Sequence, residues 1–71
     1  MKTKLETVKQ YGPSKIESTI PAGLRVAPIT RGRTTGKYWL DEFPESIFPR
    51  NSIQRHDAEH YGITFEPNEV E

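Results

Sequence analysis

Apolar residues come in short clusters along the chain, separated by polar stretches that carry glycine and proline. That is the pattern of brief extended segments joined by turns. Residues 1–19 give the weakest signal. Leu5, Val8 and Tyr11 recur at helical spacing, while the β-branched Thr3, Thr7 and Val8 equally suit an edge strand. Gly12-Pro13-Ser14 breaks whatever precedes it, and the stretch Lys15–Ile20 is apolar only at Ile16 and Ile20. The expectation is a flexible or edge-lying N-terminal arm over 1–19, followed by one compact β domain over 20–71.

From residue 20 the pattern sharpens. Pro21-Ala22-Gly23 reads as a turn. Val26 and Ile29 suit a strand that Pro28 confines to an edge or an end. A polar connection with two glycines, Thr30 to Gly36, leads to Lys37–Phe43, whose centre is aromatic and which Pro44 closes. Two extended segments around such a loop predict a β-hairpin. Proline-led turns at 44–46 and 49–51 bracket Ile47 and Phe48, leaving room only for a bend or a bridge pair. Ile63-Thr64-Phe65 reads as a last short strand, Pro67-Asn68 turns the chain, and Val70 is placed to close over the core.

Two parses compete over 51–62. In one, Asn51 or Ser52 caps a helix that runs to Tyr61 and stops at Gly62, with Gln54 in capping-box position to Asn51. Its apolar face would be Ile53, Ala58 and Tyr61. In the other, Ser52–His56 is a strand and Asp57 caps a single helical turn. The second is preferred, because two apolar side chains and an alanine are too few to hold a three-turn helix. The fold expected is therefore mainly β, a small barrel of SH3-like size or a curled antiparallel sheet with one short helical turn. The alternative is an α+β fold with a helix near 52–61.

Composition narrows this further. The chain has 71 residues, 32% of them hydrophobic, with six prolines, five glycines and no cysteine. A domain this small buries only about 60% of its unfolded surface, and it has neither disulfide staple nor thiolate metal site to help. Seven aromatics are the main source of core: Tyr11, Tyr38, Trp39, Phe43, Phe48, Tyr61 and Phe65. The dense group Tyr38, Trp39, Leu40 and Phe43 is expected at its centre. No apolar run follows the basic start at Met1–Leu5, so no signal peptide is expected. Nothing approaches the roughly 18 apolar residues of a membrane span. The expected location is cytoplasmic.

Net charge is zero, yet the two halves differ sharply. Residues 1–37 carry eight basic side chains against Glu6 and Glu17, whereas residues 38–71 carry eight acidic ones against Arg50 and Arg55. Such a division can mark a surface for nucleic acid or an acidic partner. The plainer expectation is that the opposed charges attract or intermix once folded.

Three motifs bear on chemistry. His56-Asp57-Ala58-Glu59-His60 has the spacing of an inverted zinc-protease pattern. A catalytic zinc needs a third protein ligand and an open cleft, so His56 and His60 are only weak metal candidates and no metal or other cofactor is expected. Gly32–Lys37 resembles a phosphate loop, but three residues separate its glycines, Tyr38 replaces the Mg²⁺-holding hydroxyl, and a strand follows. The same loop reads better as a basic finger of Arg31, Arg33 and Lys37, with Arg25 near, beside an acidic-aromatic stretch of Asp41, Glu42, Phe43, Glu45 and Phe48. Asp41 and Glu42, adjacent on a strand, point to opposite faces and are poorly arranged as an acid–base pair.

These features point to a small non-enzymatic module that binds another protein or a second copy of itself through the basic loop and the acidic-aromatic stretch. The alternative is a nucleic-acid-binding domain that uses the basic loop and the N-terminal lysines. No membrane contact and no small-molecule substrate is expected.

Overall fold

The computed structural model describes all residues, 1–71. Two antiparallel sheets and one short helix enclose a single core. The first sheet is a hairpin of β1 (Thr7–Tyr11) and β2 (Ile16–Ile20), with Tyr11 opposite Ile16 and Thr7 opposite Ile20. The second has the order β3-β4-β5, formed by β3 (Val26–Pro28), β4 (Tyr38–Leu40) and β5 (Thr64–Phe65). Helix α1 (Ile53–Tyr61) lies between β4 and β5 in sequence, and a 3-10 turn at Pro67–Glu69 precedes the C-terminal strand-like residues. Both sheets are open. No helix is long and apolar enough to cross a membrane.

The hairpin of β3 and β4 forms as the two extended segments and the polar loop between them predict, with Val26 opposite Leu40 and Pro28 opposite Tyr38. Pro28 sits on the edge strand, where its missing N–H interrupts no ladder. Within β4 the side chains alternate: Leu40 is buried and Tyr38 packs against the core, while Trp39 points to the other face and stays 47% exposed. The placement of Trp39 at the centre of the core is thus overturned. Its strand position sends it outward.

Residues 1–19 are not a loose arm. The backbone of Met1–Lys4 is held between residues 23–26 and the C-terminus, through Thr3 N–H to Leu24 O and Val26 N–H to Met1 O on one side and Lys2 N–H to Glu71 O on the other. Thr3 is fully buried, and its hydroxyl donates to Pro21 O at 2.7 Å and accepts from Leu24 N–H at 3.0 Å. Beyond it, β1 turns Thr7, Lys9 and Tyr11 inward and Val8 outward. An inward lysine is tolerable because its ammonium lies 2.9 Å from Glu69 Oε1 and 4.7 Å from the centre of the Phe65 ring. Both partners belong to the C-terminal part of the fold, so Lys9 ties the hairpin to it.

The strand expected over Ser52–His56 does not form, and the helix starting at Asp57 is in fact a full α1. Ser52 caps it, its hydroxyl accepting from Arg55 N–H at 3.1 Å. Gly62 ends it with a positive φ of 84°, which glycine adopts without strain, and its N–H bonds to Ala58 O. The expected apolar face is wrong at both ends, since Ile53 and Tyr61 are exposed and only Asp57 and Ala58 are buried. Polar anchors make up the difference. Arg55 pairs with Glu59 one turn on at 2.7 Å, and its guanidinium donates to the carbonyls of Phe43 and Phe48 at 3.2 Å each. The helix is thereby fastened to the 43–48 bend.

The core is continuous: Tyr11 and Ile20 from the hairpin, Leu24, Val26, Leu40 and Phe65 from the second sheet and its approach, Phe48, Ala58, Ile63 and Val70 from the remainder. Val70 closes over it as the sequence suggests.

Candidate functional site

The opposed charges of the two halves meet inside one molecule. Lys9 pairs with Glu69, Arg25 with Asp41 at 3.2 Å, and Lys37 with Glu66 at 3.0 Å, each a basic residue from 1–37 with an acidic one from 38–71. Two members of the expected basic finger, Arg25 and Lys37, are therefore already engaged. Arg31 and Arg33 are exposed at the loop and enter no ion pair.

The composite surface read from sequence does not assemble. Arg31, Arg33 and Lys37 lie at the Pro28–Tyr38 end of the β3–β4 ladder, whereas Arg25, Asp41 and Glu42 lie at the Val26–Leu40 end. From Lys37 to Asp41 the extended chain runs about 13 Å. At that second end Arg25 bonds Asp41 through both its side-chain carboxylate and its main-chain carbonyl, and Glu42 accepts from Arg25 N–H at 2.9 Å. Glu45 pairs with Arg50. Phe48 is wholly buried, in edge-on contact with Phe43 and Tyr11, and is a core residue rather than a contact residue. Phe43 is half-buried.

A different surface gathers what the composite one lacks. Between β4 and the C-terminal half of α1 lies an open concavity of about 560 Å³. Leu40 and Ala58, both buried, contribute to its lining; so do the half-exposed rings of Trp39 and Tyr61, with Asp41 and Glu59 among the polar residues. Trp39 is held by the sheet through its pairing with Ala27 and Thr64. Its ring comes close to Gly62, where a Cβ would lie 3.8 Å from the indole Cε3. Tyr61 projects from the last residue of the helix and packs edge-on against His60. Two large aromatics are thus presented to solvent by a strand and a helix end, with an apolar floor and carboxylates nearby.

No family model matches this chain, and no curated protein or solved structure matches it.

A second concavity of about 450 Å³ surrounds the start of α1 and has no apolar lining. His56, one of its residues, stacks on His60 with ring centres 5.6 Å apart, as the four-residue spacing predicts. His56 Nδ1 lies 3.0 Å from Oδ1 of the buried Asp57. No group of three or more histidine, cysteine or acidic side chains is arranged to hold a metal ion.

Sequence reading misses Trp39, Glu59 and Tyr61 as site residues. The signal for Trp39 is present: in Tyr38-Trp39-Leu40 a strand must send the middle residue to the opposite face from its neighbours. For Tyr61 the adjacent Gly62 marks the helix end, but nothing in the sequence says which way the ring points.

Proposed function

We propose that this protein is a non-enzymatic binding module that holds a partner protein in the groove between β4 and α1. The observation that carries this is the exposure of Trp39 and Tyr61 together at one concavity, in a chain with few apolar residues to spare for its core. Tryptophan and tyrosine are the residues that most often anchor protein interfaces. Sheet and helix hold them at fixed positions, so binding orders little that is not already ordered. The two small curled sheets, of SH3-like size, serve as the scaffold. The groove replaces the basic loop as the principal contact surface.

Nucleic acid has weaker support as the partner. Of Arg25, Arg31, Arg33 and Lys37 only the middle two are free of ion pairs, and the exposed aromatics stand beside carboxylates, which repel phosphate.

The test is selection of displayed peptides on the folded domain, with a Trp39→Ala/Tyr61→Ala variant as the competitor. Peptides that bind the wild type and lose affinity for the variant are expected. Selected peptides that bind both equally well would move the contact surface elsewhere.

A further inference from the structure

We propose that the group the groove recognises is a side-chain cation, specifically an arginine guanidinium carried by an extended segment of the partner; this rests on the groove being the binding surface. The chemistry begins with Trp39, whose indole forms no ring pair with any of the other aromatics and keeps about half its surface in water. An indole face is the strongest aromatic partner for a cation, and the planar guanidinium stacks on it while its edge N–H groups remain free to donate.

Acceptors for those N–H groups are close at hand. Asp41 and Glu59 line the same concavity. Each uses one carboxylate oxygen for an arginine of its own chain: Asp41 Oδ2 for Arg25 and Glu59 Oε1 for Arg55. The other oxygen of each, Asp41 Oδ1 and Glu59 Oε2, accepts no hydrogen bond. The two internal pairs already show these carboxylates in guanidinium contact, and one carboxylate accepts from more than one donor. Arg25 and Asp41 are both more than half exposed, so their pair is weak and yields readily to a better-placed donor.

The helix end adds to this. Gly62 N–H bonds Ala58 O, but no backbone N–H reaches the carbonyls of Glu59, His60 or Tyr61. These free carbonyls form the negative end of α1, and their three residues all line the groove. Aromatic face, spare carboxylate oxygens and uncapped carbonyls all favour positive charge. An anionic side chain is repelled by all three, and a neutral one gains less from them than a cation does.

The test compares three blocked hexapeptides, Gly-Gly-Arg-Gly-Gly-Ser and its versions with citrulline or glutamate in place of arginine. Citrulline keeps the planar shape and removes the charge. The readouts are the emission of Trp39, the only tryptophan of the chain, and the amide shifts of Trp39, Tyr61 and Gly62. The arginine peptide is expected to shift these signals and to bind at least about tenfold more tightly than the citrulline peptide. The double variant Asp41→Asn/Glu59→Gln, whose fold is checked by its amide spectrum, is expected to lose that preference, while Glu45→Gln keeps it. Equal binding of arginine and citrulline peptides would overturn the cation and leave the groove standing. Shifts confined to residues outside the groove, or no binding of the arginine peptide, would also overturn it. The display experiment, which does not presuppose charge, tests the groove separately.

Discussion

Gly12 and Asp57 touch so closely that no side chain fits between them. A Cβ built on Gly12 would lie 2.6 Å from Asp57 Oδ2, and Gly12 also has a φ of 77°. Helix α1 therefore rests on the turn of the β1–β2 hairpin at a point where only glycine serves, on two separate grounds. Asp57 is buried there, with His56 as its hydrogen-bond partner.

Replacing Gly12 by alanine forces either the hairpin turn or the helix to shift. The expected cost is about 2–3 kcal/mol, read as a lowered urea midpoint. An equivalent change at Gly32, which also has positive φ but open space around it, carries only the conformational part and costs about 1 kcal/mol. Equal losses at the two sites would mean that the contact with Asp57 is unimportant.

Lys9 and Glu69 make stability depend on acid. Burial pushes the Glu69 carboxyl up, but the Glu66 N–H that donates to it and the adjacent Lys9 ammonium outweigh this, so its pKa lies below the ordinary 4.5. A carboxylate lowered on folding stabilises the native state above its unfolded pKa, and the contribution is lost as pH falls through the folded value. Stability should be level near neutrality and decline below about pH 4.5. Glu69→Gln should cost about 1 kcal/mol at pH 7 and flatten part of that decline. Urea titrations across pH 3–7 check both.

Thr3 pins the start of the chain. Thr3→Val keeps the shape but leaves Leu24 N–H and Pro21 O without the hydroxyl that now serves them. A loss of about 1–3 kcal/mol is expected, with faster hydrogen exchange at Leu24.

Much of the second sheet is legible in the sequence. The run Val26 to Leu40 carries β-branched and aromatic residues around a glycine-bearing loop, and Ile63-Thr64-Phe65 alternates clearly. The first sheet is hidden for a physical reason: β1 faces inward with Thr7, Lys9 and Tyr11 while apolar Val8 faces water. Its burial depends on Glu69 and Phe65, which lie some sixty residues away in sequence. Helix α1 is hidden similarly, because Arg55 holds it through backbone carbonyls at Phe43 and Phe48 rather than through an apolar stripe. The candidate site suffers from both problems. Residue types alone send Trp39 to the core, and only the strand period sends it out.

Trp39 and Leu40 are neighbours with opposite roles. Leu40→Ala, in the core, should cost about 2–5 kcal/mol. Trp39→Ala should cost about 1 kcal/mol or less, despite removing a far larger side chain, because its outward face has little packing to lose. Circular dichroism during urea unfolding reads both variants without relying on the tryptophan.

Acrylamide quenching of Trp39, with and without a display-selected peptide, bears most directly on the groove as a recognition surface. Ready quenching in the free protein and clear protection in the complex are expected. An indole already shielded in the free protein, or one that stays equally open to acrylamide when the peptide is bound, would contradict it.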